Sequence, residues 1–199
     1  MALPIDSEFE MGRIATHFSL TAPGLIVRPV EPADAAFFRC LSDATLRGEF
    51  TRMGLPEPLL APLLAQQFHA QQIGYRRSFP QAEYFLIVEQ GAAIGRLVVT
   101  IEQVEETSAG GQESDRSIAC GQRIRALRLI DIALLPAAQG RCIGRKVIAA
   151  LAVAARSIEA RRLTLSVQMS NDRAQSLYRR LGFIDTGGEA YRHMMMPLT

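Results

Sequence analysis

The residues best suited to chemistry concentrate in one stretch, from Arg128 to Phe183. Gln139-Gly140-Arg141-Cys142-Ile143-Gly144 makes a turn of small and polar residues, and Val147, Leu151, Ala154 and Ile158 follow it at helical spacing. A glycine-containing turn that opens a helix directly after a strand gathers free N–H groups at the positive end of the helix dipole, so it is suited to hold an anion. Arg141, Arg145 and Lys146 flank that turn and add charge. Further on, Asn171, Ala174, Leu177, Tyr178, Gly182 and Phe183 stand in the pattern N-x-x-A-x-x-L-Y-x-x-x-G-F. Asn171 caps a helix and Gly182 stops it. Ala174, Leu177, Tyr178 and Leu181 share one face, so the phenol points inward. A phenol of pKa ~10 keeps its proton at neutral pH and can donate it.

The elements that position these residues follow from the pattern. Leu129 to Leu135 is apolar at nearly every position, as in a strand buried on both faces, and Pro136 stops it. LTLSV, Leu163 to Val167, is a second strand between the turn and the Tyr178 helix. The turn and the Asn–Tyr helix, in this order with a strand between, resemble the GNAT superfamily of acyl-CoA-dependent N-acyltransferases, whose cofactor turn reads Q/R-x-x-G-x-G/A. The resemblance covers about residues 25 to 199 and is densest in the last third.

The resemblance implies an α/β fold in which antiparallel N-terminal strands lead into a splayed central parallel pair flanked by helices. It implies transfer of an acetyl group from acetyl-CoA to a primary amine of a small molecule or peptide, by direct attack. The pantetheine arm would lie along Ile132, Ala133 and Leu134, where a backbone N–H can also face the thioester oxygen. Gln139, Gly140, Arg141, Cys142, Ile143, Gly144 and Arg145 would hold the pyrophosphate, with Lys146 adding charge; Asn171 would touch the cofactor and Tyr178 would protonate the departing thiolate. Two departures stand out. Cys142 replaces a family glycine, a substitution that fits if its backbone angles are ordinary. Ser166 and Arg128 occupy positions where relatives carry a glutamate base, which leaves Glu102, Asp131 or a relayed water to take the amine proton. Both departures favour the alternative reading, a non-catalytic acyl-CoA-binding or regulatory module; the intact Tyr178 motif disfavours it.

Composition bounds the rest. The 199 residues fit one domain, here 25–199, preceded by an extension at 1–24 that is either loose or packed across it. Net charge is +2, from 22 basic and 20 acidic residues, too balanced to point to a nucleic-acid partner. Arg123, Arg125 and Arg128 read as solvated surface. No apolar run approaches the ~18 residues of a membrane span, and MALPIDSEFEMGR carries acids where a signal peptide needs a basic start, so a cytoplasmic location is expected. Cys40, Cys120 and Cys142, like His17, His69 and His193, are scattered, so neither a disulfide framework nor a metal site is expected. The expected partners are acetyl-CoA and an amine; a homodimer stays open.

The remaining segments read in order. Leu25 to Val30 is a strand, and Glu31-Pro32-Ala33-Asp34 starts a helix whose buried stripe is Ala36, Phe37, Cys40 and Leu41. Arg47 to Pro58 is irregular. Leu59 to Arg77 is a helix with an apolar face of Leu63, Leu64, Gln67, Phe68 and Ile73; its His69 and Tyr75 are either acceptor contacts or plain surface and packing residues. Tyr84 to Val88 and Ile94 to Ile101 form a hairpin. The polar segment Glu102 to Gln122 is a lid or, preferably, a hairpin tip. Gly187-Gly188 is a turn before a last strand, Tyr191 to Pro197, in which Met194, Met195 and Met196 pack.

Overall fold

The computed structural model describes residues 14–18, 20, 23–52, 54–105 and 123–198. Its centre is a seven-stranded sheet in the order β1-β2-β3-β4-β5-β7-β6, where β1 is Leu25–Pro29, β2 Glu83–Glu89, β3 Ala92–Glu105, β4 Arg123–Leu134, β5 Arg162–Gln168, β6 Ile184–Gly187 and β7 Tyr191–Pro197. Among the described strands β4 and β5 pair in parallel, and every other neighbouring pair is antiparallel. This is the mixed sheet with a central parallel pair that the sequence led us to expect. The helices are α1 Ala35–Arg52, α2 Glu57–Ser78, α3 Ile143–Ser157 and α4 Asp172–Arg180.

Both faces of the sheet are covered. One carries the main core, in which Leu97, Val99, Leu127, Leu129, Leu163 and Leu165 meet Val147, Ile148, Leu151 and Ala155 of α3. On the other face Val30, Phe38 and Leu86 form a smaller cluster, joined by Phe37, Phe68 and Tyr84. The β2–β3 hairpin closes through Gln90 and Gly91, both at positive φ (50° and 82°), as a two-residue turn of matching twist requires. At the other end of β3 the pairing with β4 reaches Glu105 opposite Arg123. The segment 106–122, with Cys120 and the lid-or-tip alternative, lies outside the described residues. So do residues 1–13 of the extension, but Ile14 is fully buried in the main core and its N–H faces the Glu83 carboxylate at 3.3 Å. Phe18 packs on Phe85 with ring centroids 5.7 Å apart. Of the two readings for this extension, residues 14–18 and 20 follow the packed one, with Ala15, Phe18 and Leu20 against the main core.

Several expectations need correction. The helix α1 runs on to Arg52, through the region read as irregular, because one glycine lowers helix stability by only ~1 kcal/mol. Among its described side chains Phe38, Leu41 and Ser42 are buried, while Cys40 is exposed; the inward stripe is turned by about one residue from the expected one. On α2, Leu64 is buried but Gln67 and Ile73 are exposed. Strand β4 begins at Arg123, six residues earlier than expected, and is buried on both faces only in its first half: Ile130 to Leu134 are half-buried. Strand β6 was not foreseen; all four of its residues are exposed, so it carries no apolar signal. Among the described residues, no helix is long and apolar enough to cross a membrane, and no cluster of three His, Cys, Asp or Glu could hold a metal ion.

Candidate active site

The half-burial of the end of β4 has a topological cause. Strands β4 and β5 pair over four positions only, from Ala126 opposite Arg162 to Leu129 opposite Leu165. Beyond Leu129, β4 continues to Leu134 and β5 to Gln168 without pairing, so the two diverge. Ile132, Ala133 and Leu134 line the open side of this gap while their other edge is bonded to Leu97, Arg96 and Gly95 of β3. Gly95 permits that close approach: a Cβ there would stand 2.5 Å from the Ala133 carbonyl oxygen. One residue, Ile130, has no partner on β3, where the register shifts between Val98 and Val99.

At the end of β4 a single turn of 3-10 helix, Pro136–Ala138, leads into the glycine turn. Gln139 folds back and donates from Nε2 to the Leu134 carbonyl at 3.0 Å. Gly140 has φ +78° and lies against the Arg173 guanidinium, which would be 3.7 Å from a Cβ placed there. The first bond of α3 runs from the Lys146 N–H to the Cys142 carbonyl at 3.1 Å, so the N–H groups of Ile143, Gly144 and Arg145 have no acceptor within the helix. Arg145 and Lys146 are exposed beside them. Arg141 is instead held by Glu89 through two contacts of 2.9 Å, which ties the turn to the end of β2. The condition set for Cys142 fails: its φ is 60° and ψ 12°, in the left-handed region, where its Cβ is strained.

Asn171 caps α4, its side-chain oxygen accepting from the Ala174 N–H at 3.1 Å. That fixes the start of α4, and Tyr178 falls two turns on, largely buried against Phe183 with ring centroids 5.7 Å apart. Burial pushes the Tyr178 hydroxyl up to about 12, and the negative charge of Asp131 pushes in the same direction. Asp131 is thus close enough to Tyr178 to be felt. Its carboxylate is bound to Arg96 Nε at 2.7 Å. Arg96 is almost fully buried, lies over the Phe38 ring at 5.7 Å and reaches Gln71 Oε1 at 3.3 Å; Gln71 in turn donates to the Tyr75 hydroxyl at 3.2 Å. Tyr75 and Tyr84 are both raised, chiefly by burial, and Asp131 raises each further while Arg96 opposes it. Tyr75 therefore belongs to this group, whereas His69 is exposed on α2.

A second group lies where the strands part. Arg128 and Ser166 flank the last β4–β5 pair, and Arg128 Nη2 donates to Ser166 Oγ at 2.9 Å. Glu102 Oε1 stands 3.7 Å from Arg128 Nε, and the Phe79 ring lies 5.5 Å from its guanidinium. Ser166 Oγ is also 2.8 Å from His193 Nδ1 on β7. Both carboxylates named from the sequence are thus engaged by arginines. Arg96, Tyr84, Gln71, Arg173 and His193 were missed. Arg96 left a signal: a cation inside the apolar run of β3, the partner that an acid inside the apolar run of β4 needs.

Comparisons with known proteins bear on the fold and the family. No curated protein matches the sequence. Among solved structures, a PaiA N-acetyltransferase from Thermoplasma acidophilum in complex with coenzyme A superposes with a TM-score of 0.60 at 12% identity, covering 87% of this chain and 98% of that one. An acetyltransferase from Thermus thermophilus gives 0.53 at 20% identity over 90% and 100%. A spermidine N-acetyltransferase chimera from Vibrio cholerae and hSSAT gives 0.55 at 18% over 88% and 96%. At these identities the likeness establishes the fold. The sequence model of the acetyltransferase (GNAT) family matches residues 55–183, more than half of the chain and the whole span from α2 to Phe183, and the chain belongs to that family.

Proposed function

We propose that this chain transfers an acetyl group from acetyl-CoA to a primary amine of a small molecule or peptide, with Tyr178 giving a proton to the departing thiolate. The observation that carries this reading is the gap between β4 and β5, which has an N–H-rich turn at its end and a protonated phenol beside it. An arm of acetyl-CoA would take the hydrogen bonds that β5 does not supply to Ile132, Ala133 and Leu134. Its pyrophosphate would meet the N–H groups of Gly140 to Arg145, with Arg145, Lys146 and Arg173 adding charge. The amine, once neutral, attacks the thioester carbon, and a β4 backbone N–H stabilises the developing oxyanion. Tyr178 then supplies the proton that turns thiolate into thiol. Its raised pKa keeps that proton in place at neutral pH.

Calorimetry with acetyl-CoA tests the first half. Binding is expected at micromolar to high-micromolar concentration, on the order of −6 to −8 kcal/mol. Absence of both heat and thermal shift at millimolar acetyl-CoA overturns the reading. Thiol release with a panel of primary amines tests the second half. The strained turn at Cys142 favours a second reading, a protein that binds acyl-CoA without turning it over. Binding with no thiol release against any amine of the panel would select it.

A further inference from the structure

We propose that Ser166 and His193 form the relay that removes the proton from the incoming amine; the proposal rests on the acetyltransferase reading above. An amine is protonated at neutral pH and cannot attack a carbonyl until it loses that proton. The two carboxylates considered for this role, Asp131 and Glu102, are each paired with an arginine. The Ser166 hydroxyl is differently placed. It stands on β5 one residue past the last pair with β4, on the sheet face shared by Arg128. Its oxygen receives a hydrogen bond from Arg128 Nη2 at 2.9 Å and is 2.8 Å from His193 Nδ1. A guanidinium can only donate. The oxygen therefore accepts from Arg128, and its own proton is free to point at Nδ1.

The ammonium gives a proton to Ser166 Oγ while the Ser166 hydroxyl proton passes to His193 Nδ1. The amine is left neutral, serine is regenerated, and His193 carries the charge as imidazolium. Arg128 stabilises the oxygen in transit and repels an ammonium, which favours its deprotonation. The His193 ring is exposed, so it can release the proton to water after each turnover. Across β5 the charged groups facing the pair are Arg128 and Glu102; on the other side the β6–β7 hairpin brings Asp185 and Arg192, which are paired with each other. Arg128 itself is held by Glu102 and Phe79, so the donor to Ser166 is fixed before any substrate arrives.

The test compares the wild-type protein with His193→Gln and Ser166→Ala, using the amine that gives the fastest thiol release. Ser166 is half-buried and His193 exposed, and both replacements are smaller or of similar size, so melting curves should stay close to the wild type. Each variant should lose roughly 10²-fold or more in kcat/KM, the usual worth of a positioned proton acceptor. The acidic limb of the wild-type kcat/KM–pH profile should vanish in His193→Gln, and His193→Gly should regain activity with added imidazole. A purely structural role would produce neither effect. Wild-type turnover together with unchanged rates and pH profile in both variants overturns the relay alone. No turnover by the wild type against the whole panel overturns the acetyltransferase reading and the relay with it.

Discussion

Replacing Cys142 with glycine should make this protein more stable, although it removes atoms. The residue sits at φ 60° and ψ 12°, directly before α3, and its side chain makes no capping hydrogen bond. In that conformation a Cβ crowds the following carbonyl, at roughly 1–2 kcal/mol. Glycine removes the clash but gives the unfolded chain more freedom, which offsets about 0.4–1 kcal/mol. The net gain is then on the order of 0.5–1 kcal/mol, and for a chain of this length each kcal/mol moves Tm by about 2–4 °C. Thermal melting should therefore rise by about 1–4 °C in Cys142→Gly. Cys142→Ala is the decisive control, since it loses the thiol but keeps the Cβ and should stay near the wild type. The same change clears side-chain bulk from the N–H groups of the turn, so acetyl-CoA should bind at least as tightly as before. If Cys142→Gly melts at or below Cys142→Ala, the strain argument is wrong.

Tyr178→Phe keeps the ring against Phe183 and removes one hydroxyl; turnover should fall roughly 10²–10⁴-fold with acetyl-CoA affinity nearly unchanged, and full turnover would remove the phenol from the mechanism. Gly95→Ala forces a Cβ to within 2.5 Å of the Ala133 carbonyl, so the β3–β4 contact must shift; chemical denaturation should show a loss of about 1–3 kcal/mol, and a neutral result would mean that the strands slide apart freely. Asp34 accepts two hydrogen bonds from Arg28, which together with a bond from the Glu31 N–H hold its carboxyl below the ordinary 3.8 against the opposing effect of burial. Its contribution is therefore complete above the unfolded value and lost as pH falls through the lower folded one. The gap in Tm between wild type and Asp34→Asn should be constant from pH 7 to 5 and close below pH ~4; a gap that widens in acid would contradict the pairing.

The turn before α3 and the capped helix α4 were legible because their residues are local. Gln139 to Gly144 and Asn171 to Phe183 each carry their geometry within one turn or helix, so residue types at fixed spacing define both. The backbone angles were not legible: nothing in the letters around Cys142 announces a left-handed cysteine. Nor were the polar groups around the β4–β5 gap, because they meet across strands. Asp131 finds Arg96 from 35 residues away and Ser166 finds His193 from 27, through registers that a sequence does not write down. His193 looked like a stray histidine for that reason alone. The misread helix α1 has another cause. Phe37, Phe38, Cys40 and Leu41 offer apolar candidates on adjacent faces, and the packing partner on the sheet decides which of them turns inward.

The unpartnered Ile130 sets the parity of the strand. Side chains of a strand alternate, so positions three apart belong to opposite faces. Arg128 and Asp131 are three apart, yet they stand opposite Thr100 and Val98, which lie on one face of β3. The single extra residue between them restores agreement and lets Leu129 and Ile132 both keep to the core. The charged side of this site is thus set by counting as much as by chemistry. A chain without that residue would have to draw its strand acid from the position before or after, and no substitution at Asp131 could move it to the face where Arg96 waits.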